Sequence, residues 1–518
     1  MKVLPGKPEA NLETAKRYVE QAVAAGAHLV VFPAFCISGS LLGGLAEQGA
    51  FLERCRKACD ELIEFSSKVD IAFGGHDGLY YAKAGKKERL VKSSLALSEK
   101  EMCNIIQIGD LLVCAGCVPY IKEDGDEFQR MLSKKAKEDC LPLLFVNAVG
   151  SQNTGKNIYG FAGGSLAFND NGSLVATMPL FEERGILFDV VYGKVTGGCV
   201  KERESTIAEI HKALVFMIRE NLNRFGVNRV VIGASGGIDS AVSAALYVEA
   251  IGKENVFLIN MPTRFNSDTT KNAARDLADN LGTPYMVAPI SDILNTIGQS
   301  LERCSFIRND TPMKIEGINY ENLQARIRSG AVLASVASVV GAAFTCNGNK
   351  SEVMVGYCTL YGDTCGVMCA LGDLWKTEVY ALAHEINKEK EIIPVASIDV
   401  PASAELSDAQ NVDEGKGDPV KYPYHDRLFA YWIEKTPRKC LEDSMELLES
   451  GVDRYCKEIG VSVDIFNSLF ASKEDALEDM KGWYRRFSGI ALAKRIQLPP
   501  VLTLTRHAFG HDIQEVQI

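Results

Sequence analysis

Along the first two hundred residues the apolar positions switch repeatedly between helical spacing and short continuous runs. Leu12, Ala15, Tyr18, Val19 and Ala22 recur at helical intervals, which predicts an amphipathic helix over 11–26. Residues 28–33 (HLVVFP) read as a buried strand, 51–69 as a second helix and 71–73 as a short strand. A further buried strand is expected at 141–149, and a hairpin over 165–177 around Asn169-Asp170-Asn171-Gly172. A glycine-containing and then charged seam follows at 195–205. From Thr206 a long helix presents Ile207, Ile210, Leu214, Met217 and Ile218 on one face. Strands at 229–233, 256–260 and 284–288 then alternate with helices at 240–251 and 267–281, the pattern of a parallel sheet covered on both faces. Residues 408–424 are polar, contain Gly415, Gly417 and Pro419, and read as a long surface loop of the kind that serves as a lid.

Composition narrows the partners. The 518 residues allow roughly two to four domains, and 47% hydrophobic with 24% charged residues is a globular balance. Lys plus Arg number 56 against 67 Asp plus Glu, a net charge of −11, which speaks against a nucleic-acid or membrane-surface partner but leaves room for a local basic pocket. Residues 329–349 are uncharged and nominally long enough to span a bilayer. Their richness in Ala, Ser and Gly instead predicts a buried helix running into a buried strand. The start of the chain lacks an apolar signal core, and the 15 cysteines form no dense framework; reduced thiols in a cytoplasmic protein are expected.

The strand at 229–233 runs straight into Ala234-Ser235-Gly236-Gly237-Ile238-Asp239-Ser240 and then a helix. Gly233, Gly236 and Gly237 let the backbone approach an anion, and the following helix offers free N–H groups and the positive end of its dipole. Ser235 and Ser240 can donate to phosphate oxygens, and Asp239 can hold Mg²⁺. The spacing is neither G-x-G-x-x-G nor G-x-x-x-x-G-K-[ST], which disfavours a Rossmann dinucleotide site and a Walker NTPase. The segment resembles the pyrophosphatase loop of the ATP-pyrophosphatase (adenine nucleotide α-hydrolase) enzymes.

Later motifs narrow the resemblance. They are Tyr320 to Arg326 (YENLQAR), Asn347 to Glu352 (NGNKSE), Gly356 to Asp363 (GYCTLYGD), Gly372 to Tyr380 (GDLWKTEVY), Pro401 to Leu406 (PASAEL) and Lys494 to Pro500 (KRIQLPP). In this order, across 206–518, they are similar to the NAD⁺ synthetase family. The resemblance implies a doubly wound parallel sheet. It also implies ATP-dependent amidation of deamido-NAD⁺ by ammonia, through an adenylated carboxylate, with AMP and pyrophosphate released. On this reading Asp239 and Glu352 hold Mg²⁺, and Ser235 to Ser240, Asn347 and Lys376 contact ATP. Asn322, Arg326, Glu352, Tyr357, Thr359 and Lys494 face deamido-NAD⁺, with Arg495 an alternative to Lys494. Asn347 stands where the family often has Thr. No protein nucleophile is assigned. A homo-oligomer is implied by resemblance alone. A different ATP-pyrophosphatase amide ligase is the competing enzyme reading, and a catalytically dead scaffold the competing non-enzyme one.

Residues 1–195 resemble the nitrilase-like glutaminase domain of large NAD⁺ synthetases, an α/β sandwich with a Glu–Lys–Cys triad, joined here through a 196–205 linker. Leu90 to Leu95 is similar to the lysine segment, giving Lys92, and Leu112 to Cys114 to the nucleophile strand, giving Cys114. Asn147 to Asn153 and Phe161 to Ser165 match later segments. Val31-Phe32-Pro33 leads into the position of the base, but that position is Ala34 where the family has Glu. Alanine cannot take a thiol proton. Ala115-Gly116 and Ala96 depart from the pattern as well. The expectation is an inactive amidase domain and free ammonia as nitrogen donor, with glutamine use through a working amidase as the alternative.

Overall fold

The computed structural model describes residues 1–92, 103–122, 124–201, 203–305 and 314–509. It forms two compact units, Met1–Glu220 and Asn221–Ile518.

In the first unit, α1 (Pro8–Ala24), β1 (Leu29–Val31), α2 (Gly49–Phe65), β2 (Asp70–Gly74), β3 (Gly78–Lys83) and β4 (Lys86–Lys92) follow in order. The strands make one sheet in that order, β1 parallel to β2 and the rest antiparallel. Next come β5 (Cys103–Ile108), β6 (Leu111–Gly116), α3 (Gly125–Asp139), β7 (Leu143–Asn147), the hairpin β8 (Val149–Thr154) and β9 (Asn157–Ala162), then β10 (Leu166–Phe168) and β11 (Leu174–Thr177). The second sheet runs β11-β10-β7-β6-β5, and β10–β11 is the hairpin expected at 165–177. A small ribbon, β12 (Asp189–Val191) and β13 (Lys194–Thr196), completes the strands of the unit. The strand expected at 141–149 is divided into β7 and β8.

The two-residue period of a strand sorts β6 between two cores. Val113 and Ala115 pack with Ile71 and Phe73 of the first sheet and with Leu12, Ala15 and Leu62 of α1 and α2. Leu112 and Cys114 point the other way, to Leu132 and Ala136 of α3 and to Phe145 and Phe168. The architecture is the expected α/β sandwich.

Helix α4 (Thr206–Phe225) bridges the numbering into the second unit. There β14 (Val230–Gly233), α5 (Ile238–Ile251), β15 (Val256–Asn260), α6 (Asp268–Leu281), β16 (Tyr285–Val287) and α7 (Ser291–Glu302) alternate as anticipated. Ser267 caps α6 by accepting from Thr270 N, and Gly282 ends it in the left-handed conformation. The uncharged segment begins inside a π-helical stretch (Ile327–Leu333) that continues α8 (Ile318–Arg326), and it runs on through α9 (Ala334–Val339) and β17 (Ala343–Phe344). It corrects the expectation of a wholly buried helix: Leu333 and Ala337 are buried, yet Val339 is 85% exposed. Ser329, Leu333 and Ala337 form one covered face, Gly330, Ala331, Ser335, Ser338 and Gly341 are exposed, and β17 is half-buried. No helix among the described residues is long and apolar enough to cross a membrane.

The sheet is wholly parallel, in the order β16-β15-β14-β17, with Val230 opposite both Val256 and Ala343. Parallel pairing requires crossovers, and these cover the sheet. Val231 and Ile259 pack on Leu294, Ile327, Leu333 and Ala337, while α5 lies on β14 and β15. Helices α10 (Lys350–Val355), α11 (Lys376–Ile386), α12 (Val395–Asp399), α13 (Tyr422–Ile433), α14 (Leu441–Glu449), α15 (Val452–Ile459), α16 (Val463–Leu469), α17 (Lys473–Phe487) and α18 (Ala491–Gln497) follow. An aromatic core of Tyr424, Phe429, Trp432, Tyr455, Phe466 and Trp483 joins α13 to α17. Each fully buried large side chain of this kind contributes about 1.5–3 kcal/mol.

Residues 408–424 are not the plain surface loop expected. Short turns at Asp408–Gln410 and Val412–Glu414 precede α13, and Val412, Val420 and Tyr422 are buried. These three apolar anchors pull the segment inward.

Candidate active site

The Gly-rich turn sits where β14 ends at Gly233 and α5 begins at Ile238. Gly236 has φ +90°, and a Cβ there would lie 2.0 Å from Thr270 O, so only glycine fits. Ser235 Oγ accepts from Gly237 N at 3.2 Å and meets Ser240 Oγ at 3.1 Å, while Ser240 Oγ donates to Gly237 O at 2.9 Å. These bonds hold the loop in shape ahead of the first turn of α5. Asn347 braces it: its Oδ1 accepts from Ser243 Oγ at 3.0 Å and Thr345 Oγ at 2.9 Å. Gly236→Ala should abolish ATP-induced thermal stabilisation and lower turnover about a hundredfold, because the loop or α6 must shift to admit the methyl. Thermal shift with and without ATP is the check; an unaltered shift would refute the cradle.

Asp239 in the first turn of α5, Glu352 of α10 and Lys376 at the start of α11 converge, although they are far apart in sequence. Lys376 Nζ is bonded to Asp239 Oδ2 and lies 3.3 Å from Glu352 Oε1. Asn349 Nδ2 donates to Asp239 Oδ1 at 2.9 Å, and its Oδ1 caps α10 by accepting from Glu352 N. Burial pushes the Glu352 carboxyl up to about 8, with Lys376 working against the rise and Asp239 adding to it. Burial also opposes the charge on Lys376, but Asp239 and Glu352 outweigh it and hold the ammonium above its ordinary range. Two hard oxygen donors therefore share one cation, and the set fits a divalent ion whose remaining ligands come from phosphate and water.

The start of α11 is fixed from beneath. Asp426 accepts from Ser351 Oγ at 2.6 Å and Thr377 N at 2.9 Å, and Ser351 Oγ accepts from Lys376 N. Burial raises the Asp426 carboxyl to about 6, against the pull of those donors. With a folded value near 6 and an ordinary one near 4, the folded state holds this proton more tightly. Its stabilisation is present below about pH 4 and is lost as pH rises through about 6. Asp426→Asn cannot titrate, so its stability should gain on the parent by about 3 kcal/mol between pH 4 and 7. A constant difference across that range in paired unfolding curves would contradict this.

Nearby Lys350 is no site residue. Fully buried, it pairs with Asp373 at 2.8 Å and Glu434 at 2.9 Å and reaches Thr505 Oγ at 3.2 Å. A buried charge so fully partnered is a structural pin.

The residues expected at deamido-NAD⁺ gather around 356–363. Thr359 Oγ donates to Asn322 Oδ1 at 2.8 Å, Arg326 Nε donates to Leu360 O at 3.1 Å, and Tyr357 OH accepts from Gln410 Nε2 at 3.0 Å. Lys494 Nζ donates to Gly356 O at 2.6 Å and also to Cys358 O. Arg495 is buried and spent on Met354 O and Phe487 O, so Lys494 is the one of the two that belongs to this cluster. A cleft of about 130 Å³ joins Ser235, Asp239, Glu352, Lys376 and Tyr357 under residues 400–405. Sequence reading missed several of its charged groups. Asp363 and Asp418 are carboxyls that burial pushes up. Arg328, which does not line the cleft itself, is lowered to about 10 by burial with Glu405 and Asp363 opposing, and donates to Met261 O at 3.2 Å. Their charges alone carry no signal, since burial makes them informative.

In the first unit the structure places Cys114 and Ala34 in different cores. Cys114 sits mid-strand in the α3-side core, on the face of β6 opposite to Ala34. Cys114, the residue expected at the nucleophile position, therefore does not share a face with Ala34. Ala34 N donates to Gly116 O at 3.2 Å, which places Ala34 beside the end of β6, where Cys117 follows. Cys117 is buried in the same core as Ala34, its Sγ donates to Ser40 Oγ at 3.3 Å, and Gln152 Nε2 lies 3.7 Å from that Sγ. The available signal was parity: the third residue after Cys114 faces the opposite side of the strand. Lys92 closes β4, and Ser93 to Ala96 lie outside the described residues.

A wholly parallel α/β sheet, a serine- and glycine-rich loop at the carboxyl end of its central strand and a Lys-bridged carboxylate pair define a nucleotide-binding unit of the ATP-pyrophosphatase type. Residues 210–459 match the sequence model of NAD synthase. The chain is 37% identical over 350 residues to a glutamine-dependent NAD(+) synthetase of Synechocystis, a match covering 67% of this chain and 59% of that protein. It is 33% identical over 314 residues to the one from Rhodobacter capsulatus, covering 58% and 55%. The matched part thus spans a little over half of each relative. The solved glutamine-dependent NAD⁺ synthetase of Acinetobacter baumannii, in complex with ADP, superimposes with a TM-score of 0.70 over 99% of this chain and 96% of that one, at 24% identity. That likeness extends the shared fold to both units.

Proposed function

We propose that the chain is an NAD⁺ synthetase that adenylates the nicotinate carboxylate of deamido-NAD⁺ with ATP and amidates it with ammonia, releasing AMP and pyrophosphate. The convergence of Asp239, Glu352 and Lys376 on the Ser235–Ser240 loop carries this reading. The loop and the first turn of α5 bind the departing pyrophosphate, and Lys376 balances charge on the phosphates. Asp239 and Glu352 would hold Mg²⁺, which when bound neutralises phosphate charge as it develops. Asn322, Arg326, Tyr357, Thr359 and Lys494 orient the dinucleotide, whose own carboxylate is the attacking group. The reading takes residues 1–195 as the nitrilase-like domain, 206–518 as the synthetase and the cytoplasm as the compartment.

The relatives' names favour glutamine as nitrogen donor. Ala34 beside Cys117 favours free ammonia, since the methyl group at position 34 cannot take the thiol proton. The test is dinucleotide amidation from deamido-NAD⁺, ATP and Mg²⁺ with ammonium or glutamine. Absence of amidated product with both nitrogen donors would sink the reading.

A further inference from the structure

The strand-like segment that roofs the cleft is fastened by one buried carboxylate. Glu405 is 3% exposed and adopts φ +46°, a left-handed conformation costly for a residue with a side chain. Its Oε1 accepts from Ser267 N at 3.1 Å, and its Oε2 accepts from Thr270 Oγ at 2.6 Å and Asn266 Nδ2 at 3.4 Å. The donors are the N-cap of α6, its first turn and the residue just before the cap. That same turn presents Thr270 O against Gly236, so one helical turn supports the phosphate loop and grips the roof at once.

The rest of the roof hangs from this point. Leu406 O accepts from Gln324 Nε2 at 2.8 Å, and Leu406 N donates to Gln410 Oε1 at 2.8 Å. Gln410 in turn reaches Tyr357, and Asp418 N donates to Ala402 O at 2.7 Å. With the roof in this position the partly open cleft beneath it measures about 130 Å³. The strained Glu405 marks the anchor that holds the roof there, over the loop expected to take the phosphates.

We infer that Glu405 is a positioning residue that latches the roof over the phosphate loop and keeps water from the acyl-adenylate. The inference rests on the synthetase reading above. In the normal step the substrate carboxylate oxygen bonds to the α-phosphorus and pyrophosphate leaves; ammonia then attacks the acyl carbon, AMP leaves and a proton is released. With the roof loose, water attacks the same carbon and returns the free acid and AMP, so that ATP is spent without amide.

The experiment measures pyrophosphate and amidated dinucleotide together, with ammonium as donor, in the full chain and in Glu405→Ala and Thr270→Val. Thr270→Val removes the shortest bond from the opposite partner and keeps the backbone contact at Gly236, so it covers the case in which Glu405→Ala does not fold. The parent should release one pyrophosphate per amide. Each folded variant should release at least three, and raising ammonium should restore the ratio, because ammonia and water compete for one intermediate. A parental ratio in a folded variant, whatever its rate, overturns the latch. Failure of the parent itself to form amide overturns the synthetase reading, a result separable from the variant ratios.

Discussion

Replacing Asp239 or Glu352 by alanine is expected to lower Mg²⁺-dependent pyrophosphate release by about a thousandfold or more, while leaving the chain folded. Attack of a carboxylate on a triphosphate crowds several negative charges into one cleft, and positioned cations supply most of the compensation. Asp239 and Glu352 are the two carboxylates bonded to Lys376 there, and both sit in first helical turns that Asn349 and the Gly-rich loop hold in place. Losing either leaves Lys376 over-compensating the other and removes one metal ligand. The helices themselves rest on other contacts: Lys350 with Asp373, and Asp426 with Ser351 and Thr377. Asp239→Asn keeps the shape without the charge and should be nearly as inactive. Pyrophosphate release within tenfold of the parent in either alanine variant would remove these residues from the metal site.

Ammonium should support amidation at least about a hundredfold better than glutamine, and Cys117→Ala should change neither rate. A cysteine amidase needs a base to take the thiol proton and return it to the leaving amine, steps worth about 10²- to 10⁴-fold. At the end of β6 the neighbour that the fold provides is Ala34, a methyl group, held by its own N–H to Gly116 O. Cys117 Sγ donates to Ser40 Oγ and accepts from the Gln152 carboxamide, whose Oε1 is itself occupied by Ser40 N at 2.9 Å and Leu41 N at 3.0 Å. Neither residue is a base. Equal rates with the two donors, with the glutamine rate abolished in Cys117→Ala, would show a working amidase; the same loss in Cys114→Ala instead would return the nucleophile to mid-strand.

Much of the scaffold was legible because it rests on local regularities. Continuous apolar runs such as 230–232 and 256–259 make buried strands, and Ser267 and Gly282 mark the two ends of α6 by chemistry that acts within a few residues. The same locality explains the errors. Residues 329–349 have no charge, yet whether an uncharged helix is covered depends on what lies beside it, and Val339 faces outward. Cys114 and Cys117 are three residues apart and equally apolar in their surroundings, so only the pleat and its two cores distinguish them.

By itself the sequence determined the parallel α/β half, its phosphate-type loop and the absence of a glutamate at position 34, since each is written in spacing or identity within a short stretch. Tertiary structure alone decided which charges act together. Asp239, Glu352 and Lys376 meet through three separate helices. Lys350 is drawn away into an ion pair, Arg495 is spent on carbonyls while Lys494 holds the 356–358 loop, and Glu405 turns from a motif letter into a buried anchor. The physical reason is that the strength of a charge or hydrogen bond is set by burial and by partners distant in sequence, and neither exists until the chain has folded.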